Sequence, residues 1–221
     1  MNLNFDAIVV GSGISGGWAA KELCESGLKT LVLERGRMVK HIEDYPTMNL
    51  DPWDVKHGGK TTQEELKNYN KQRRWGVNEG NRHFYNKDSE YDYEEDKPFD
   101  WIRGTQVGGR SLIWGRQTYR WSDDDFEANL RDGIAIDWPV RYKEIAPWYS
   151  YVENFIGVSG EALNLPQLPD SEFLPPMELN CVEKKLKKSI AKNYSDRILT
   201  VGRVAHITKG TKMGAGRGPC Q

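Results

Sequence analysis

Near the start of the chain, apolar and polar positions fall into short blocks. Residues 6–10, DAIVV, are a brief apolar run rich in β-branched side chains, the pattern of a buried parallel strand. Residues 17–26 then read as a helix with Ala20, Leu23, Cys24 and Gly27 on one side, so Cys24 is expected as a small core residue. A second apolar run, TLVL at residues 30–33, ends in Glu34. The pattern predicts strand, turn, helix and strand in succession.

Farther along, the pattern loosens. Residues 37–53 contain Pro46 and Pro52 and few periodic apolar positions, and residues 56–95 are polar and thin in aliphatics. One short helix fits at residues 62–69, TQEELKNY, and the acidic run KDSEYDYEED at 87–96 reads as a solvated surface. A long segment of this kind inside a domain is usually a lid or an extended excursion. Residues 163–176, LNLPQLPDSEFLPP, read as an extended crossing. Residues 178–194 form an amphipathic helix with Leu179, Val182, Leu186 and Ile190 as its stripe. Its lysines, Lys184, Lys185, Lys187, Lys188 and Lys192, make the solvated face. Residues 198–207 are strand-like, and the glycine-rich KGTKMGAGRGPCQ after them carries no fold of its own.

Composition narrows the class. A length of 221 residues holds one large or two small domains. A net charge of −1 argues against nucleic acid as a main partner. Charged residues at 29% and a mean hydropathy of −0.72 describe a polar, soluble chain, and no apolar run approaches membrane-spanning length. The first strand begins by Asp6, which leaves no room for a signal peptide. The expectation is therefore a cytoplasmic protein, with periplasmic export beside a signal-bearing partner subunit left open. The cysteines, Cys24, Cys181 and Cys220, do not make a disulfide framework.

The candidate chemistry sits in the first turn. Gly11, Gly13 and Gly16 have the spacing G-x-G-x-x-G, directly after a strand and opening a helix. Gly11 suits the tight turn, Gly13 a close approach to a pyrophosphate, and Gly16 close packing of helix on strand. The helix N-terminus, with Ile14 and Ser15, offers free N–H groups to phosphates. Glu34, at the next strand end, can accept from ribose hydroxyls and disfavours the 2′-phosphate of NADP. FAD and NAD both fit this pattern.

A second stretch, WIRGTQVGGRSLIWGRQTYR at residues 101–120, is dense in glycine, with Gly104, Gly108, Gly109 and Gly115. Val107, Leu112, Ile113 and Trp114 are interleaved, which suggests a backbone pressed against something flat or bulky. Arg110, Arg116 and Arg120 read as surface or structural ion pairs. Trp138 and Trp148 read as packing residues.

Taken together, Gly11/Gly13/Gly16, the Glu34-Arg35-Gly36 strand end and the Gly104–Gly115 loop resemble the N-terminal part of a glucose–methanol–choline family oxidoreductase. The stretch Asp137-Trp-Pro-Val-Arg-Tyr142, followed by Ile145, Trp148, Tyr149 and Val152-Glu153, is similar to the bacterial branch with gluconate, fructose and glucose dehydrogenase large subunits. Thr105, Arg110 and Trp114 depart from the choline- and cholesterol-oxidase-like members and fit that branch better.

The resemblance implies an α/β fold: an incomplete FAD-binding Rossmann-like domain of glutathione-reductase type, with the start of a second α+β substrate domain. It divides the chain into a dinucleotide-binding βαβ unit at 1–36, a polar excursion or lid at 37–100, a flavin-contacting loop and helix at 101–160, and a truncated crossing, helix and strand at 161–221. It implies that Gly11, Gly13, Ile14, Ser15 and Gly16 meet the pyrophosphate, Glu34 the ribose, and Arg35 the adenine side. Val107, Gly108, Gly109 and Ser111 would line the flavin, continued by Trp114 and Gly115. The flavin is expected to be noncovalent, since none of His41, His57, His83 or His206 falls in the loop.

The activity implied is oxidation of an alcohol or sugar CH–OH group by hydride transfer to flavin N5, with electrons passed to an acceptor, which in some relatives is a further subunit. The catalytic pair of the family has no counterpart here, so no catalytic residue and no metal ligand are assigned. Cys220 would serve as an iron–sulfur ligand only in a longer chain. The fragment alone is expected to be inactive. A non-catalytic FAD-binding fragment, or an amine-oxidase- or desaturase-type flavoprotein of the same fold, are the rival readings.

Overall fold

Strand β1 (Ala7–Val10) and strand β2 (Thr30–Leu33) lie parallel, with Ala7 opposite Thr30 and Val10 opposite Leu33. Helix α1 (Ile14–Glu25) is the crossover between them. The computed structural model in which they are seen describes residues 4–90, 93–209 and 217–220. Asp6 ties the strand starts together: its amide donates to Lys29 O at 2.9 Å, and its carboxylate accepts from the Lys29 amide at 2.8 Å. At its far end α1 closes with two bonds, Leu28 N to Leu23 O at 3.1 Å and Gly27 N to Cys24 O at 2.9 Å. That pairing satisfies carbonyls the last turn leaves open.

The chain divides into two compact units, Met1–Trp114 and Gly115–Gln221. In the first, the expected strand–turn–helix–strand unit is present, although α1 begins at Ile14, before residue 17. Its burial differs from expectation. Val9 is 8% exposed, but Ile8 and Val10 are 61% and 82% exposed. A two-stranded sheet has too few neighbours to cover both faces of a β-branched strand. Cys24, expected in the core, is also exposed.

The described residues between 37 and 100 form short turns and single helical turns. Among them is α2 (Gln63–Leu66), whose N-cap Thr62 accepts from the Glu65 amide at 3.2 Å, followed by a 3-10 turn at Lys67–Tyr69. This polar segment supplies the unit's core. Tyr69, Val77 and Tyr85 are buried together, with Ile102 and Ile113 packed on them. Gln72, 2% exposed, donates to Asn86 O, and Asn86 in turn donates to Thr105 Oγ1 at 2.7 Å. The Asn86 amide donates to Arg103 O at 3.1 Å. Aromatic rings and paired amides thus replace aliphatics and tie the segment to the glycine-dense loop.

The second unit holds α3 (Asp123–Phe126), α4 (Ala128–Asp132), α5 (Tyr142–Ile156) and α6 (Cys181–Asn193). Asn180 caps α6 by accepting from the Val182 and Glu183 amides at 2.9 and 3.0 Å, while Glu183 accepts from the Asn180 amide at 2.7 Å. This reciprocal box fixes the helix start. Arg120 and Glu153, both 3% exposed at the side chain, pair with Nη2 to Oε2 at 2.6 Å. Tyr142 and Ser150 take further guanidinium donors at 2.9 Å each. Burial opposes the Arg120 charge, yet the bonds to Glu153 and Tyr142 outweigh it and raise the pKa. Arg120 is thus the structural ion pair expected of it.

Two expectations fail in this unit. Residues 198–207 are not a strand; they contribute bridges at Val204 to Gln117 and to Ser159. Arg203, 2% exposed, instead serves as a buried anchor that pairs with Asp170 and donates to Pro169 O at 2.6 Å. Trp148 is 63% exposed and Trp138 43%, the latter edge-on to Trp121.

Candidate functional site

The turn after β1 is shaped by backbone demands. Gly11 sits at φ +88°, a left-handed conformation that side chains rarely adopt, and its amide donates to Leu33 O at 2.7 Å. At Gly16 a Cβ would stand 2.0 Å from Gly11 O, so helix and strand approach only because the side chain is missing. Over Gly11 and Gly13 an added Cβ would meet nothing within 4 Å. Open space therefore faces the turn at the two glycines expected to admit a ligand.

Helix α1 starts there without a side-chain cap and without an acidic residue in its first turn. Its first backbone bond runs from Gly17 N to Gly13 O at 2.7 Å. The amides of Ile14, Ser15 and Gly16 precede any intrahelical acceptor, and together with the helix dipole they favour an anion. Ile14 and Ser15 are exposed.

Glu34 folds back onto this turn. Oε2 accepts from Ser12 N at 2.8 Å and from Ser12 Oγ at 2.6 Å, and Oε1 accepts from Gly36 N at 2.7 Å. Those bonds, led by the Ser12 hydroxyl and amide, hold its pKa at about 2 against an ordinary 4.5. A carboxylate has about four acceptor positions. The Ser12 hydroxyl and amide, the Gly36 amide and the Arg35 amide fill about that number, so a further hydroxyl reaches this carboxylate only by sharing or displacing one of them. Arg35 is exposed beside it.

The glycine-dense loop is brought to the same place. Arg37 and Gln106 form a parallel bridge, and Val107 N donates to Arg37 O at 2.9 Å. A Cβ on Gly36 would fall 2.5 Å from Gln106 Cα, so the loop lies directly on the chain leaving β2. Gly108, at φ +90°, donates its amide to Ser12 Oγ at 3.1 Å. A Cβ on Gly109 would rest 3.5 Å from Gly13 Cα. Ser111 Oγ donates to Gly108 O at 2.7 Å and stiffens the bend. Val107 and Leu112, with Val39, His41 and Tyr45, line a cleft of about 230 Å³ beside it. Trp114, 38% exposed, closes this unit, and Gly115 opens the second.

Sequence reasoning missed Ser12 and Gln106. Ser12 stands between two motif glycines, where a hydroxyl is the available signal. Gln106, 4% exposed, donates to Phe84 O at 3.3 Å and to Gly109 O at 3.2 Å. A lone glutamine among glycines was the hint. Thr105, a departure from the family loop, is explained by the bond it accepts from Asn86.

Among the described residues, no group of His, Cys, Asp and Glu could hold a metal ion, and no helix is long and apolar enough to cross a membrane.

No protein-family profile matches the chain. Curated relatives exist. The chain is 27% identical over 171 residues to the 2-methyl-1,2-propanediol dehydrogenase of Mycolicibacterium austroafricanum, covering 75% of this chain and 26% of that protein. It is 30% identical over 175 residues to the gluconate 2-dehydrogenase flavoprotein of Pantoea cypripedii, covering 71% and 26%. It is 25% identical over 166 residues to the fructose dehydrogenase large subunit of Gluconobacter japonicus, covering 72% and 28%. The chain spans about a quarter of the length of these relatives.

Proposed function

From this kinship with glucose–methanol–choline-type dehydrogenases and oxidases, we propose that the chain is the FAD-holding portion of an oxidoreductase acting on an alcohol or sugar CH–OH group. The supporting observation is the meeting of the two glycine stretches, where Gly108 bonds Ser12 and Gly109 lies on Gly13. A lone glycine motif would serve many nucleotides; a second glycine loop laid on it suits a longer, two-part cofactor. The word flavoprotein in one relative's name points the same way.

In this reading the first-turn amides of Ile14, Ser15 and Gly16 hold the pyrophosphate over the open faces of Gly11 and Gly13. Glu34 keeps the turn in shape and takes a ribose hydroxyl in exchange for one of its present donors, with Arg35 on the adenosine side. Val107, Gly108, Gly109 and Ser111 present backbone to the flavin, continued by Trp114 and Gly115. Fixed backbone dipoles stabilise the negative charge of a reduced cofactor. When bound, FAD supplies a hydride acceptor at N5. The base that removes the substrate hydroxyl proton belongs to the part of the relatives that this chain does not span. A partner that takes up the electrons completes the scheme; the name of the fructose dehydrogenase large subunit says that enzyme has a further subunit.

The absorbance spectrum of the purified chain, before and after acid precipitation, tests the proposal. Flavin bands released into the supernatant are expected. Colour retained in the pellet would contradict noncovalent binding, and a colourless protein that ignores added FAD would contradict the cofactor itself.

A further inference from the structure

One side chain stands between the two glycine stretches. Ser12 Oγ donates to Glu34 Oε2 at 2.6 Å and accepts from the Gly108 amide at 3.1 Å. The Ser12 amide donates to the same carboxylate oxygen at 2.8 Å, so the serine is held at two points. A hydroxyl whose proton is taken by a carboxylate becomes a stronger acceptor for a third group. The grip on Gly108 therefore depends on the charge and occupancy of Glu34. The low pKa of Glu34, with Ser12 as its leading cause, agrees with this geometry.

We propose that Ser12 is a positioning residue that couples the two halves of the cofactor site, transmitting the state of Glu34 to the backbone of Gly108. This rests on the reading of the site as an FAD cradle. Engagement of a ribose hydroxyl by Glu34 redistributes the charge that Ser12 feels and resets the loop that faces the flavin. By linkage, the coupling runs equally in the other direction.

The test reads Gly108 directly, by amide hydrogen exchange on the full chain with nitrogen-15-labelled glycine, first without ligand and then with FAD. Ser12→Ala is expected to cost Gly108 about fivefold in protection, the scale of one neutral hydrogen bond. The Gly11 amide, bonded to Leu33 O, should keep its protection. Ser12→Thr, which retains the hydroxyl, should restore Gly108. Glu34→Gln leaves Ser12 in place yet should still lower Gly108 protection, a response that a purely structural serine would not transmit. If Ser12→Ala does not fold, Glu34→Gln alone decides. Unchanged Gly108 exchange in Glu34→Gln, or in a folded Ser12→Ala, overturns the proposal. With FAD present, the wild-type Gly108 signal should move and the affinity in Ser12→Ala should fall by about fivefold. A wild-type chain that binds no FAD while Gly108 still answers to Glu34→Gln sinks the cofactor reading alone, and the coupling of Glu34 to Gly108 through Ser12 stands.

Discussion

The nucleotide turn and the Arg120–Glu153 pair use polar groups in opposite ways. In the second unit the ions are buried at 3% exposure and saturated by each other, Tyr142 and Ser150. In the turn the polar groups are only half-covered, the apolar strand beside them is exposed, and open space remains over Gly11 and Gly13. The first arrangement holds a fold and offers nothing to a ligand. The second fixes its backbone through missing side chains and leaves donors unmet, as a binding site requires.

The contrast predicts where mutation hurts stability and where it hurts binding. The largest stability loss should come from Glu153→Ala, which strands Arg120 as a buried charge and should cost about 3–5 kcal/mol in denaturant unfolding. A loss under about 1 kcal/mol there would mean the pair is not the anchor described.

Next come the glycines, where neighbours in one motif should behave differently. Gly16→Ala drives a Cβ to 2.0 Å from Gly11 O and should destabilise the protein by about 1–3 kcal/mol while abolishing FAD binding. At Gly13, φ is −65° and a Cβ would meet no atom of the chain, so Gly13→Ala should shift stability by less than about 1 kcal/mol. It should nevertheless weaken FAD, because the methyl enters the ligand's space. Paired melting and FAD titrations check both, and equal stability losses at the two glycines would erase the distinction.

Acid should act on the turn. The folded pKa of Glu34 lies below its ordinary value, so its contribution to stability is complete above pH about 4.5 and disappears as pH falls toward about 2. Ser12→Ala removes the leading cause, so the variant should start less stable above pH about 4.5 and lose less stability than the wild type as pH falls toward about 2. Melting temperatures recorded across that range would show it. The smallest effect is expected at the exposed Lys21–Glu25 pair on α1, where Lys21→Ala should change stability by less than about 1 kcal/mol.

Legibility in the sequence follows the range of the forces. The β1–α1–β2 unit, the short helix after residue 62 and helix α6 were readable because periodicity and glycine geometry act over a few residues. Burial was not, because it depends on what else arrives. Ile8 and Val10 read as core yet lie exposed, while the thinly aliphatic residues 56–95 built a core from Tyr69 and Tyr85 with Gln72 and Asn86 paired inside it. Residues 198–207 read as a strand, but the needs of buried Arg203 and single bridges at Val204 won over strand propensity. At the site, local signals named the glycines and Glu34. The bridge from Ser12 to Gly108 joins residues with |i−j| of 96, and no local pattern carries that distance.

The most direct measurement is a titration of the wild-type chain and its Gly13→Ala variant with FAD and with FMN, followed by flavin fluorescence. The account predicts saturable one-to-one FAD binding, much weaker binding of FMN, which lacks the adenosine half, and loss of FAD affinity in a Gly13→Ala protein that melts like the wild type. FAD and FMN bound alike, or FAD affinity untouched in Gly13→Ala, would contradict it.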